Sequence, residues 1–172
     1  MVGLQSNICC FVCSHINCLV FEADGTRLYS GDGAGDVKVW ACPNTGADRY
    51  TSFAHQHTIS GQGAVNCLRL HPRRSRLVVH TRNNLLRTID TKSFVEVKQY
   101  SGLRNERLMI RSDVSPDGRY IVSGSEDGQV YAARSPRPCS SCAHLTACFH
   151  PPIAGVYGRW RAESSCPPSD RH

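Results

Sequence analysis

The feature that most constrains this chain is a segment of about 25 residues that occurs three times. The copies are INCLVFEADGTRLYSGDGAGDVKVW at 16–40, VNCLRLHPRRSRLVVHTRNNLLRTI at 65–89 and MIRSDVSPDGRYIVSGSEDGQVYAA at 109–133. Their starts are separated by 49 and 44 residues. A period of roughly 40–50 residues is typical of repeat proteins in which each copy forms one small β-sheet. The sequence therefore predicts three similar units.

Each copy reads as three short strands joined by two turns. Apolar and polar side chains alternate with a period of two, as in RLYSGD at 27–32, and β-branched and aromatic residues are frequent. The pairs Asp24-Gly25 and Asp117-Gly118 supply the positive φ that a tight reversal needs. Segments 49–56 and 95–101 are candidate fourth strands. We therefore expect an all-β body of three four-stranded antiparallel sheets.

The two ends of the chain differ in composition from this body, which spans about 15–134. Residues 135–172 hold six of the nine prolines and four of the ten cysteines. Proline removes the backbone donor that strand pairing needs, so a disordered tail is expected there, with an irregular leader at 1–14. Closed rings of such sheets need four to eight units. Three units leave unpaired ends, so the sequence reads as part of a larger ring or as a truncated product.

Composition limits the cellular compartments in which the protein is expected. The formal charge is +6, and no apolar run approaches the roughly 20 residues that a membrane-spanning helix requires. Three cysteines lie in or beside strand-like segments, where single thiols behave as small apolar side chains: Cys18, Cys42 and Cys67. We expect a reduced, cytoplasmic protein.

The runs SGDGAGDVKVW and SGSEDGQVY resemble the WD-repeat family of β-propellers. In that family a Ser or Thr on the second strand, an Asp in the next turn and a Trp ending the third strand tie each sheet together. The resemblance assigns structural roles of this kind to Ser30, Trp40, Ser123 and Asp127.

The tie is incomplete in every copy. Ala34 stands in place of the Asp in the first copy, and Ala133 stands in place of the Trp in the third. The second copy has Asn83 and Ile89 at these places. The sequence therefore predicts that packing of alternating faces, rather than the tie, carries most of the fold.

The resemblance implies a non-enzymatic scaffold that binds other proteins. The phrases TRLYSGD, LHP, LRTID and GSEDGQVY resemble the large WD-repeat scaffolds found at the base of the primary cilium. These imply a role in cilium assembly at the basal body and transition zone, with centrosomal or cytoskeletal association. Two alternatives remain open: another WD-repeat adaptor, in chromatin or ubiquitin-ligase assembly, and a truncated product without function.

Binding by such proteins usually uses exposed turn residues. The candidates are Arg73, Arg74 and Arg76 in a turn of the second copy, and Glu126 and Asp127 in a turn of the third. Nucleic-acid binding is disfavoured, because no Phe, Tyr or Trp lies between residues 54 and 93 to stack on bases near these arginines.

No cofactor, small-molecule substrate or metal is expected. The tail does carry residues of the types that zinc prefers, namely Cys139, Cys142, Cys148 and His150, with His144 between them. The Cys148-x-His150 spacing is tighter than usual zinc pairs, which favours an adventitious cluster. No nucleophile motif such as G-x-S-x-G is present, so the sequence does not predict an enzyme.

Overall fold

The computed structural model of the chain describes residues 14–42 and 53–135. These residues form eleven strands and no helix. The strands are β1 (Ile16–Phe21), β2 (Arg27–Asp32), β3 (Val37–Ala41), β4 (Ala54–Ile59), β5 (Val65–Leu70), β6 (Arg76–Thr81), β7 (Leu85–Asp90), β8 (Glu96–Tyr100), β9 (Ser112–Val114), β10 (Tyr120–Gly124) and β11 (Val130–Arg134). The described residues thus contain no helical segment long and apolar enough to cross a membrane.

The strands form three antiparallel sheets in which neighbours in sequence are neighbours in space. Their orders are β1-β2-β3-β4, β5-β6-β7-β8 and β9-β10-β11. The prediction of an all-β chain built from three such sheets is confirmed, and the third sheet has three strands in the described part. Strand β4 runs to Ile59, beyond the predicted segment 49–56, of which residues 49–52 lie outside the described ranges.

Strand pairing shows that the three copies share one register. Leu28 pairs with Trp40 in the first sheet, Leu77 with Ile89 in the second and Ile121 with Ala133 in the third. The residues predicted to occupy the place of the family's Trp therefore lie at one equivalent position. Apolar residues there point to the same face in each sheet, since directly paired residues share a face.

The turns are also equivalent. Gly25 and Gly118 have φ of +71° and +69°, as their Asp-Gly pairs predicted. In the second turn, left-handed φ recurs at Gly35, Asn84 and Gly128. Asparagine tolerates this conformation better than other residues with a side chain, which explains how the second copy makes the same turn without glycine.

The sheets stack face to face, with β1 beside β5 and β5 beside β9. One apolar cluster fills the space between the first and second sheets and includes Tyr29, Val39, Val65 and Leu68. Another joins the second and third sheets through side chains such as Leu86, Tyr100, Ile121 and Tyr131. Full burial of each such side chain stabilises by roughly 1.5–3 kcal/mol, so packing between sheets is the main source of stability.

The other face of the first sheet carries a third, smaller cluster. Leu28, Trp40 and Cys42 are buried there, with Phe53 packed against them. Leu19 and Phe21, on the same face, remain 60% and 45% exposed.

Candidate protein-binding surfaces

The up-and-down strand order places the turns at two opposite ends of the sheets. The first turns, at 22–26, 71–75 and 115–119, lie at one end, here called the first-turn end. The second turns, at 33–36, 82–84 and 125–129, lie at the second-turn end. Arg73 and Arg74 therefore lie at the opposite end from Glu126 and Asp127. These predicted binding residues cannot form one site.

At the first-turn end, a groove of about 260 Å³ separates the first turn of the second sheet from that of the third. We call it the arginine groove. Its lining residues are His71, Arg73, Arg74, Asp117, Gly118, Arg119, Arg134 and Ser135. Two of the predicted arginines thus share a groove with two others that the sequence analysis did not connect with them.

A buried histidine joins the two walls of the groove. His71 Nε2 lies 2.9 Å from the carbonyl oxygen of Gly118, and the backbone N–H of Arg73 donates to His71 Nδ1 at 3.1 Å. Because Nδ1 accepts, the proton lies on Nε2 and the ring is neutral. Burial lowers the pKa of His71, and the nearby Arg74 and Arg76 lower it further. Arg76 itself begins β6, half-buried, with a pKa lowered by burial and then by Arg74.

The groove has an excess of positive charge. Among its described lining residues four arginines face one carboxylate, that of Asp117. Asp117 accepts hydrogen bonds from Ser115 Oγ at 2.6 Å and from the Arg119 backbone N–H at 2.9 Å. These bonds, followed by the charges of Arg119 and Arg73, lower the pKa of Asp117. The lining therefore has a net charge of +3 when Asp117 is ionised.

The second-turn end is organised by Glu126. Its Oε1 accepts three consecutive backbone N–H groups, from Glu106 at 2.8 Å, Arg107 at 2.6 Å and Leu108 at 2.7 Å. These bonds, that from Leu108 foremost, lower the pKa of Glu126. We call residues 104–110 the Glu126 loop. It presents Leu108 and Met109, which are 59% and 46% exposed, and the sequence analysis did not single them out.

Asp127 is also engaged within the chain. Its Oδ2 accepts the Tyr131 hydroxyl at 2.6 Å and its Oδ1 accepts the Gln129 backbone N–H at 3.0 Å. The bond from Tyr131 is the main cause of its lowered pKa. Both predicted acidic binding residues thus direct their carboxylates toward their own chain. Their role in binding a partner stays a prediction.

The predicted hydrogen-bonded tie of Ser, Asp and Trp forms in part in the first sheet, and the hydrogen bonds differ in the third sheet. In the first sheet the Trp40 indole N–H donates to Ser30 Oγ at 2.9 Å, and both residues are buried. Asp32, which the sequence analysis did not single out, receives the backbone N–H groups of Ala34, Gly35 and Asp36. In the third sheet the Ser123 hydroxyl donates to the carbonyl of Gly124 instead.

A second cleft, of about 310 Å³, lies between the β4–β5 connection and the second sheet. Arg87 lines this cleft and is its positively charged residue. Other lining residues include Gln62, Asn83 and Gln99. Arg87 Nη1 lies 3.9 Å from Glu96 Oε2, so this cation has an acidic partner close by. The arginine groove carries more unbalanced charge and is the stronger candidate for a binding site.

The proposed zinc residues Cys139, Cys142, Cys148 and His150 lie outside the described residues. Within the two described ranges, no three His, Cys, Asp or Glu residues are placed to hold a metal ion. Of the described cysteines, Cys42 and Cys67 are buried and Cys18 is half-buried. Burial raises the pKa of the Cys18 thiol to about 12, which opposes formation of a reactive thiolate.

Stacked antiparallel sheets of three or four strands, with a shared register and exposed turns, are the fold to which the comparisons apply. The family model described as "WD domain, G-beta repeat" matches residues 7–41 and 110–132. Over these two segments the chain is similar to WD40 repeats, which typically serve as scaffolds for protein interaction.

Particular relatives can be named within this class. Jouberin of Mus musculus is 33% identical over 125 residues, which cover 69% of this chain and 12% of that protein. Protein lethal(2)denticleless of Drosophila melanogaster is 28% identical over 130 residues, covering 69% of this chain and 16% of the relative. Autophagy-related protein 16 of Arabidopsis thaliana is 27% identical over 120 residues, which cover 69% of this chain and 22% of that protein. The chain thus spans a small part of each relative.

Proposed function

We propose that this protein is a non-enzymatic interaction scaffold of the Jouberin type that supports cilium assembly at the basal body and transition zone. The structural observation that carries the scaffold role is the arginine groove, a charged recess formed by turns of two sheets whose stacking fixes their relative positions. The ciliary setting is supported by the similarity to Jouberin. Ciliary proteins are then its partners, and its localisation is cytoplasmic, at the base of the cilium.

Localisation in ciliated cells tests the ciliary setting. The tagged 172-residue chain is expressed at low level and imaged against a basal-body marker, with the tag alone as control. Enrichment at the basal body above the control is expected. A diffuse signal equal to that of the tag would contradict the ciliary proposal.

The alternative is a WD-repeat adaptor that works elsewhere, in chromatin or ubiquitin-ligase assembly. The observation on its side is that a Drosophila WD-repeat-like relative other than Jouberin also aligns with 69% of the chain, at 28% identity. The imaging experiment separates the two proposals, because nuclear enrichment without basal-body signal supports the alternative.

The third possibility is a truncated product without function, and it is tested by asking whether the 172-residue chain folds by itself. Sedimentation and urea unfolding of the purified 172 residues address it. A soluble species with one cooperative transition supports a scaffold that folds by itself. Aggregation would support the product without function.

A further inference from the structure

The arginine groove has the charge and shape of a site for an acidic peptide, and one buried hydroxyl in its lining has no hydrogen-bond partner among the described residues. We propose that it binds a segment of a partner protein that carries closely spaced carboxylates. This inference rests on the proposed scaffold function and specifies the chemistry of one docking site.

The positive charges come from two sheets and converge on one recess. Arg73 and Arg74 belong to the first turn of the second sheet. In the third sheet, Arg119 directly precedes β10 and Arg134 is the last residue of β11. The hydrogen bond between His71 and Gly118 joins the two walls. Because this bond is buried, the spacing between the two sets of arginines is fixed before a ligand arrives, which reduces the entropic cost of binding.

The described lining residues of the groove carry more positive than negative charge, even when Arg74 is left aside. Among the described lining residues Asp117 is the one carboxylate, and its Oδ1 accepts hydrogen bonds from the Ser115 hydroxyl and the Arg119 backbone N–H. Its ion pair with Arg119, at 3.6 Å, joins two exposed side chains and is worth little in water. Guanidinium groups bind carboxylates through paired, charge-assisted hydrogen bonds. An acidic peptide is therefore the complementary ligand.

Ser135 provides an independent observation. It is only 4% exposed, lines the groove, and its hydroxyl has no hydrogen-bond partner among the described residues. A buried hydroxyl without a partner is costly, and such groups commonly mark places where a ligand or water completes the bonding. A carboxylate or peptide carbonyl in the groove would accept this hydrogen bond.

The lining favours a peptide over a nucleic acid. Its described lining contains no Phe, Tyr or Trp on which a base could stack, and its one imidazole, that of His71, is buried in hydrogen bonds between the two walls. Its volume of about 260 Å³ accommodates a few side chains between two turns and does not form a long track for a phosphate backbone.

Fluorescence anisotropy with the full 172-residue chain tests the proposal. The probe is a fluorescein-labelled decapeptide of alternating Glu and Gly, and the matched probe replaces each Glu with Gln. A fluorescein-labelled oligodeoxythymidine serves as the nucleic-acid probe. The Glu peptide is expected to bind more tightly than the Gln peptide, and its affinity should fall as salt is raised.

Two double variants locate the binding. Arg73→Gln with Arg134→Gln removes one exposed charge from each wall of the groove. Arg107→Gln with Arg111→Gln removes two exposed charges near the opposite end and is the matched control. We expect the groove variant to weaken Glu-peptide binding about tenfold or more, because it removes a charge-assisted contact from each wall. The control variant should change binding less than about twofold on the same scale. Circular dichroism and urea unfolding establish that both variants are folded.

Three results would overturn the proposal: equal binding of the Glu and Gln peptides, equal weakening by the two double variants, or tighter groove-dependent binding of the oligonucleotide. Failure here is distinguishable from failure of the scaffold function. If one of these three results is obtained while the unmodified chain still becomes enriched at the basal body, the groove assignment falls and the scaffold proposal stands.

Discussion

The side-chain amide of Asn66 donates to the side-chain oxygen of Asn105 at 3.1 Å, across the boundary between the second and third sheets. The same amide donates to the carbonyl of Leu108 at 3.0 Å. Asn17, at the equivalent position of the first sheet, donates to the carbonyl of Val65 at 2.9 Å. An asparagine on each of the first two inner strands thus joins its sheet to the next one along the chain.

Replacing Asn105 by Ala is expected to destabilise the fold strongly. Asn105 is fully buried, and its side chain also contacts His80 Nε2 at 2.9 Å and the carbonyl of Thr81 at 3.2 Å. Its loss leaves these buried groups without partners, which should lower the free energy of unfolding by about 3 kcal/mol. Urea unfolding measures the change, with the exposed Gln62→Ala as control. A loss no larger than that of the control would contradict this account of the sheet boundary.

The free energy of unfolding should decrease as the pH is lowered from about 6.5 to about 4, because of His80. Burial lowers the pKa of His80 from 6.5 to about 4. Between these values the unfolded chain binds a proton that the folded chain does not, so the free energy of unfolding decreases as pH falls and is unaffected by this group above 6.5. The full effect is on the order of 3 kcal/mol. His71, whose pKa is also lowered, adds to it in the same direction.

Urea unfolding at a series of pH values measures this dependence, and His80→Gln should flatten it. His55→Gln, at an exposed position in β4, is the control. An NMR titration gives a second readout, in which the ring of folded His80 is expected to stay neutral down to about pH 5. Titration near pH 6.5 would contradict the burial argument.

Gly118→Ala and Gly128→Ala should differ in cost although both glycines have left-handed φ, +69° and +78°. A Cβ at Gly118 would overlap His71 Cε1, whereas one at Gly128 meets nothing within 4 Å. Gly128→Ala should therefore cost only the backbone strain, about 1–2 kcal/mol. Gly118→Ala should cost about 1–3 kcal/mol more through overpacking at the seam between two sheets. Equal unfolding midpoints for the two variants would show that this seam is not tightly packed.

Ser30→Ala should destabilise the first sheet. The substitution removes the acceptor of the buried Trp40 indole N–H, which no longer has a partner, at a cost of about 2 kcal/mol. The exposed Ser101→Ala is the control for loss of a hydroxyl. Thermal unfolding compares the two, and a Tm shift that is the same for both would mean that the hydrogen bond does not stabilise the sheet.

Glu126→Gln should loosen the Glu126 loop without unfolding the sheets. The carboxylate is the shared acceptor of three backbone N–H groups, and a neutral amide oxygen accepts them more weakly. Amide hydrogen exchange at residues 106–108 is expected to accelerate, while exchange in β6 and β7 stays unchanged. Glu96→Gln, at an exposed position in β8, should leave loop exchange unaltered. Unchanged exchange in the Glu126 variant would contradict the role assigned to its carboxylate.

The sequence was sufficient to predict the strands, the turns and their common register. Alternation of side chains and the two Asp-Gly pairs are local signals, and the equivalent places of Trp40, Ile89 and Ala133 follow from counting along each copy. These features depend on residues close together in the chain, where patterning is most informative.

The polar network and the groove could not be predicted in this way. Asn66 and Asn105 are 39 residues apart, and nothing in their local sequence indicates that they meet. Arg73 was singled out by its position in a turn, but Arg119 and Arg134 join it only because two sheets stack. Arg73 and Glu126 lie at opposite ends because each strand runs antiparallel to the one before it, so that first and second turns alternate between the two ends. Composition contains no information about this topology.

Opposite placement of the two sets of turns has a mechanical consequence. Strands β2 and β6 each have six residues, which corresponds to a length of about 20 Å between the ends. A ligand seated among the arginines and another resting on Leu108 and Met109 would be held apart by this stiff spacer, too far away to collide. Ligands bound at these two ends of one copy would therefore be separated by a distance that the strands dictate.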